Sequence, residues 1–276
     1  MSGRLAVVAT PIGNLEDMTL RALRTLREAD AILAEDTRRT RALCSHHGVS
    51  TPLRAFHAHT PDATVQALVD ELRGGAVLAL VTDAGTPLVS DPGARLVAAA
   101  TDAGIRVEPI PGPSAPLAAL VASGLHVGAF RFVGFLPRSG GKRRVALDAL
   151  ETASEATVFF EAANRLPETL AELAARLPDR RAAVARELTK LHEEVARGTL
   201  TELAERFAEA PRGEITIVVE GAPERDEPLD EEALVKQARA LLDEGRRTKA
   251  VARDLAEAHS IPVRDAYALV LRATEE

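Results

Sequence analysis

Three stretches place glycine, proline and hydroxyl or acidic residues directly after a short apolar run. Open α/β sheets hold their ligands at such strand ends. The central stretch, residues 78–93, reads LALVTDAGTPLVSDPG. Its apolar run over 77–81 stops at Thr82-Asp83, and Gly85, Pro87, Ser90, Asp91, Pro92 and Gly93 follow. Gly85 lets the backbone approach a ligand closely, and the prolines stiffen the loop. Asp83 is expected at the mouth with a free carboxylate. The other two loops are Thr10-Pro11-Ile12-Gly13-Asn14 and the segment PGPSAP at 111–116, whose Ser114 is placed to cap a helix.

A second group of residues could move protons or hold phosphates. Glu187 and Lys190, in RELTKLHEE, are three apart and would share a face of a helical turn. A lysine beside a carboxylate stays protonated. Glu187 is therefore the better general base, and Lys190 the better partner for a phosphate or oxyanion. Glu161, in EAANR, is a second candidate base. The run EDTRRTR at 35–41 is either a solvated helix start or a rim facing substrate. PRSGGKRR at 137–144 carries four cations in eight residues and reads as a basic loop, solvated or touching phosphate. His57 and His59 alternate on an expected strand, 53–59, but two histidines without a third ligand make no zinc site. Cys44 is the only cysteine, which excludes a disulfide within the chain.

The elements that must position these residues follow from periodicity. Strands are expected at 4–9, 29–34, 53–59, 77–81 and 105–109, then at 130–135, 156–160, 181–185 and 214–220, with helices between. Residues 195–200 read as a turn leading into a helix that runs to about 210. The expected domains are 1–115 and 116–222, both α/β, with the ligand site in the cleft between them. Residues 221–228 form a linker by composition, and 229–276 a helical tail with a turn at 260–262, similar to a helix-turn-helix module. The tail has 8 basic and 10 acidic residues from Asp230 onward, which gives little support for DNA binding. The chain of 276 residues is 46% hydrophobic and 27% charged, has no apolar run of membrane length and no signal-peptide pattern, so a cytoplasmic protein is expected. A net charge of −7 argues against a general nucleic-acid binder, although a local basic patch would suffice for an enzyme on RNA. The loop after the first strand is neither GxGxxG nor a Walker loop, so no dinucleotide or triphosphate cradle is predicted.

Read together and in order, TPIGNLED, LAEDTRRT, LVTDAGTPLVSDPG, PGPSA, the FxGFLPR strand, FFEAANR and ARELTKLHEE resemble the ribosomal RNA methyltransferases of the tetrapyrrole methylase superfamily. The resemblance covers residues 4 to about 221, and the tail also matches. DAGTP alone would indicate only the superfamily, whereas EDTRRT, EAANR and RELTKLHEE select the RNA branch. The resemblance implies a two-domain tetrapyrrole-methylase-like α/β fold, each domain a mixed sheet flanked by helices, plus the small C-terminal helical tail. It further implies a homodimer that binds S-adenosylmethionine in the cleft. The implied reaction is 2′-O-methylation of cytidine 1402 in the decoding region of 16S rRNA, in the 30S subunit. The implied cofactor contacts are Pro11, Asp83, Ala84, Gly85, Leu88, Ser114 and Ala115 from the first domain, and Phe160, Glu161, Glu214 and Ile215 from the second. Asn14, Arg38, Arg39, Asn164, Arg165 and Arg143 are the expected RNA contacts. Two alternatives share the motifs: a tetrapyrrole C-methyltransferase acting on uroporphyrinogen or a precorrin, and a non-catalytic RNA-docking protein.

Overall fold

The computed structural model describes residues 3–88, 93–223, 231–259 and 263–275. Ser90, Asp91 and Pro92, most of the expected linker and the turn at 260–262 lie outside the described residues. The chain divides into two compact units, Met1–Ala222 and Pro223–Glu276.

The first unit contains two five-stranded sheets. The first sheet is built from β1 (Arg4–Val8), β2 (Ala31–Ala34), β3 (Leu53–Ala55), β4 (Val77–Leu80) and β5 (Arg106–Ile110), in the order β3-β2-β4-β1-β5. Every pairing in it is parallel. Helices α1 (Leu20–Glu28), α2 (Thr37–His46), α3 (Asp62–Arg73) and α4 (Ala94–Asp102) make the crossovers. Both faces are covered, which is why the strands read as unbroken apolar runs. Leu5, Leu33, Leu78 and Leu80 pack on one side, and Ala6, Val8, Ile32 and Ala79 on the other. Thr19 caps α1 as its hydroxyl position suggests, accepting the Ala22 N–H at 3.1 Å.

The second sheet contains β6 (Phe130–Phe135), β7 (Ala156–Ala162), β8 (Arg181–Arg186), β9 (Glu194–Thr199) and β10 (Glu214–Val219), in the order β6-β7-β10-β8-β9. Only β6 and β7 run parallel; the other pairs are antiparallel. The mixed pattern thus belongs to this sheet alone. Helix α5 (Ala115–Ser123) lies on one face, with Ala119 against Val158, Ala183 and Val218. Helices α6 (Gly140–Thr152), α7 (Leu166–Arg176) and α8 (Leu200–Arg206) cover the other face around Phe159, Val184 and Ile217. The second unit is α9 (Glu231–Asp243), α10 (Thr248–His259) and α11 (Val263–Glu275), closed on Leu234, Val251, Leu255 and Val270.

Three local expectations are corrected. Residues 194–199 form a strand where a turn into a helix was expected: β9 pairs with β8 from Arg181↔Thr199 to Arg186↔Glu194. Its sequence, EVARGT, carries one buried residue, Ala196, so no alternation announces it. The basic stretch at 137–144 is not all loop, because α6 already begins at Gly140. The third strand ends at Ala55, and the chain turns as the His57 N–H donates to Thr60 Oγ1 at 2.9 Å. His57 and His59 therefore sit in a turn, not on one strand face. Among the described residues no group of three or more His, Cys, Asp or Glu could hold a metal, and no helix is long and apolar enough to cross a membrane.

Strand β9 has a further task. Arg197 donates to the carbonyls of Ala122 and Ser123, at 2.5 and 3.1 Å, at the end of α5. This supplies partners that helix C-termini otherwise lack. Arg197→Ala should lower the unfolding free energy by about 1–2 kcal/mol in urea titration, between the values of a typical and a charged hydrogen bond because the arginine is exposed.

Candidate active site

At the carboxyl edge of the first sheet the loops are joined to one another. Thr10 and Gly85 exchange two backbone hydrogen bonds, at 2.9 and 3.0 Å. Thr10 Oγ1 donates to the Thr82 carbonyl at 3.1 Å, and Thr86 Oγ1 to the Pro113 carbonyl at 3.3 Å. The three loops singled out by sequence therefore form one wall. Gly85 has φ 81°, and a Cβ there would sit 3.3 Å from Ile12 Cγ2. Both facts favour glycine.

Opposite this wall are strand ends of the second sheet, and between them is a cavity of about 400 Å³. Ala84, Gly85, Ser114, Ala115, Phe160, Glu161, Glu214 and Ile215, eight of the residues that the resemblance implies as cofactor contacts, line it. Ile12, Thr86, Pro116, Phe135, Ala162, Ala185, Leu188, Gly213 and Thr216 line it too and were not singled out. Most are small or aliphatic, so residue chemistry marks none of them. Ile12, Thr86 and Pro116 could have been found as neighbours of chosen loop residues. Pro11 is buried and Leu88 stands at φ 74°, and neither is among the lining residues.

The two walls meet at the turn between β8 and β9. Glu187 and Thr189 take left-handed φ of 51° and 66° there, unusual for residues with side chains. Thr189 Oγ1 accepts the Asn14 N–H at 3.1 Å. A Cβ on Gly13 would lie 2.5 Å from Lys190 Cγ and 2.9 Å from the Leu188 carbonyl oxygen. The first loop can reach the turn only because residue 13 is glycine.

Glu187 and Lys190 do meet, but across a β-turn closed by the Lys190 N–H to the Glu187 carbonyl at 3.0 Å, not on a helix. Lys190 Nζ donates to Glu187 Oε1 at 2.8 Å and to Glu214 Oε2 at 2.9 Å. The Glu214 N–H also donates to Glu187 Oε1, at 2.9 Å. Both bonds fall on Oε1, so Oε2 is open to an incoming donor. The lysine bond, then the backbone bond, hold the Glu187 carboxyl below its usual value. Burial works against the charge of Lys190, but its bonds to Glu187 and Glu214 outweigh that and raise its pKa. The pair is an anion and a cation at neutral pH. Gly213 makes room for it, since a Cβ there would be 2.5 Å from Glu187 Cγ.

Other charged residues are committed differently than expected. Asp83 is not a free carboxylate at the mouth: Oδ1 accepts the Asp36 N–H at 3.0 Å, and Oδ2 is 3.5 Å from Arg39 Nη1. It is absent from the cavity lining. Glu161 lines the cavity, yet its side chain is 0% exposed, with Thr169 Oγ1 donating to Oε2 at 2.7 Å and Arg165 Nε 3.3 Å from Oε1. A carboxylate so occupied is not a general base. Arg143 is 5% exposed and bonded to Glu172, Pro137 and Thr169, so it is not an RNA contact. Arg165 donates to the carbonyls of Leu136 and Pro137 and is likewise structural. Arg38 and Arg39 remain 86% and 66% exposed, the former paired with Asp36, whose carboxyl the arginine bonds lower to about 2. Asn14 and Asn164 are exposed.

Gly13→Ala should break the contact between the walls. Backbone atoms cannot move aside cheaply, so a loss of about 1–3 kcal/mol is expected in urea unfolding.

The fold and the motifs agree with comparisons to known proteins. A family described as Tetrapyrrole (Corrin/Porphyrin) Methylases matches residues 4–204. The ribosomal RNA small subunit methyltransferase I of Halalkalibacterium halodurans is 44% identical over 270 residues, covering 96% of this chain and 93% of that protein. Its namesake in Mesorhizobium japonicum is 51% identical over 235 residues, 84% of this chain and 80% of that one. Among solved structures, a diphthine synthase superposes with a TM-score of 0.60 at 20% identity, over 79% of this chain and 90% of that one. Uroporphyrin-III C-methyl transferase from Thermus thermophilus, complexed with S-adenyl homocysteine, gives 0.57 at 22%, over 78% and 97%. A match of this extent settles the family: the chain belongs to the tetrapyrrole methylases, in the branch of the ribosomal RNA small subunit methyltransferases I.

Proposed function

We propose that this chain transfers the methyl group of S-adenosylmethionine to the 2′-hydroxyl of cytidine 1402 in 16S rRNA, on the 30S subunit in the cytoplasm. The observation that carries the reading is the Glu187–Lys190–Glu214 cluster: Glu214 lines a cavity closed from two sides, and Glu187, outside the lining, lies against Gly213, which lines it too. The cavity fits the cofactor. Its size is in the range of small-molecule sites, roughly 300–1,000 Å³. Phe135 and Phe160 give it aromatic faces, and Gly85 lets the backbone line it closely. The bound cofactor supplies an electrophilic methyl group on a positively charged sulfur.

This chain's own residues do the rest. Ala84, Gly85, Ser114, Ala115, Phe160, Glu214 and Ile215 hold the cofactor, with Ile12 and Leu188 beside them. The turn at 187–193 brings Glu187 to the edge of the same cavity. Glu187 Oε2 accepts the hydrogen bond of the incoming ribose hydroxyl and takes its proton, while Lys190 holds Oε1 in place. A carboxylate with a lowered pKa is a weak base. It suffices here because the bound cofactor would offer a neutral leaving group, so that Glu187 need take the hydroxyl proton only late. Fixing hydroxyl and methyl in line can lower the barrier by roughly 7–11 kcal/mol, and the base adds about 10²–10⁴-fold. Arg38, Arg39, Asn14 and Asn164, all exposed, hold phosphate and ribose.

Glu187→Gln should cut turnover on undermethylated 30S subunits about 10²–10⁴-fold while calorimetry with S-adenosylhomocysteine gives the wild-type affinity. Wild-type kcat should fall only below the usual carboxylate range, because protonation of Glu187 begins there, and the variant should lack that limb. Digestion of the product must release 2′-O-methylcytidine. Methylation of uroporphyrinogen with untouched 30S subunits would instead support the tetrapyrrole reading.

The protein acts as a homodimer in this reading. Support comes from α5, which exposes Leu117 and Val121 one turn apart, 51% and 86% accessible. Val121→Glu should yield monomers in sedimentation velocity where the wild type sediments as a dimer.

A further inference from the structure

We infer that Thr169 and Arg143 are positioning residues for the aromatic side of the cavity, acting through Glu161 and the β6–α6 turn. The inference rests on the reading that this cavity holds S-adenosylmethionine. Phe135 and Phe160 line the cavity with ring centroids 5.4 Å apart. Phe160 is held inside the sheet by pairing with β10. Phe135 is on the edge strand, is 56% exposed, and follows a register irregularity between Phe132 and Phe135 in the β6–β7 ladder. Sheet pairing, Phe135↔Phe160, thus holds Phe135 from one side only, next to a break in the ladder.

A buried relay does the holding. Glu161 Oε1 accepts the Ala162 N–H at 2.8 Å and lies 3.3 Å from Arg165 Nε; Oε2 accepts the Thr169 hydroxyl at 2.7 Å. Having given its one proton to Glu161, that hydroxyl accepts from Arg143 Nη2 at 3.0 Å. Arg143 Nη1 donates to the Pro137 carbonyl at 3.1 Å, and its Nε to Glu172 Oε2 at 2.7 Å. Arg165 Nη2 donates to the Leu136 and Pro137 carbonyls at 3.1 and 3.2 Å. Two guanidinium groups thus clamp the two residues after Phe135 to the end of β7. The relay has two cations and two anions, so it is neutral as a unit. It begins at Glu172, 39% exposed, and ends at the cavity wall.

The test is calorimetry of the full chain with S-adenosylhomocysteine, alongside thermal unfolding. Thr169→Val keeps the side-chain volume but leaves Glu161 and Arg143 each short of a buried partner. Its Kd should rise about tenfold, and Thr169→Ser should return it to within about twofold of wild type. Glu172→Gln, at the exposed end, should raise Kd about threefold with little change in Tm. If Thr169→Val does not fold, Glu172→Gln decides. Lower Tm with wild-type Kd in the variants would reduce the relay to a structural role and overturn the inference. A wild type that fails to bind S-adenosylhomocysteine would instead overturn the reading of the cavity.

Discussion

The contact on which the site depends is the approach of Gly13-Asn14 to the turn at 187–193. A loop of the parallel sheet and a hairpin turn of the mixed sheet touch there with no space for a methyl group between them. One hydrogen bond, Asn14 N–H to Thr189 Oγ1, crosses the junction. The turn has to adopt two left-handed residues to present that hydroxyl. Such backbone costs of order 1–3 kcal/mol per residue and persists only where surrounding contacts over-determine it. Here Glu193 Oε2 accepts the Thr189 N–H at 2.6 Å, and Lys190 ties the turn to β10 through Glu214. The same strained turn delivers Leu188 to the cavity and Glu187 to its edge.

Charge is spent in pairs throughout the site. Asp83 answers Asp36 and Arg39; Glu161 answers Arg165 and Thr169; Glu187 answers Lys190. The cavity itself is lined mostly by small and apolar residues. The low polarity of those walls strengthens any electrostatic interaction made inside them. At the cavity's edge, the bonds from Lys190 Nζ and the Glu214 N–H to the Glu187 carboxylate both fall on Oε1. The lysine that lowers the pKa also fixes the carboxylate's orientation.

The helices tie this edge chemistry to the two cores. Helix α5 begins at the cavity with Ala115 and ends on Arg197 of the edge strand β9, so the strand hidden from sequence reading anchors a wall of the site. Helix α7 carries both Leu170, in the core of the second sheet, and Thr169, in the polar relay. Adjacent residues on one helix thus serve packing and positioning.

Local sequence determined the strands of the first sheet, the helical tail and the three glycine- and proline-bearing loops; that the first sheet is all parallel, not mixed, came from the tertiary structure. Unbroken apolar runs and helical spacing are signals carried by neighbours in the chain, whereas the eleven cofactor contacts were implied by the family resemblance, and eight of them line the cavity. The family resemblance came from motifs of the same short range. What the sequence left open depends on partners far along the chain. β9 is a strand because β8 offers it a ladder, and Arg143 is buried because Glu172 and Thr169 meet it across 26 residues and more. Asp83 looks like a free carboxylate until Asp36, 47 residues away, donates to it. The type of a charged residue states what it can bond. Only the tertiary structure decides whether a partner inside the protein has already taken that capacity or whether it is left for a ligand.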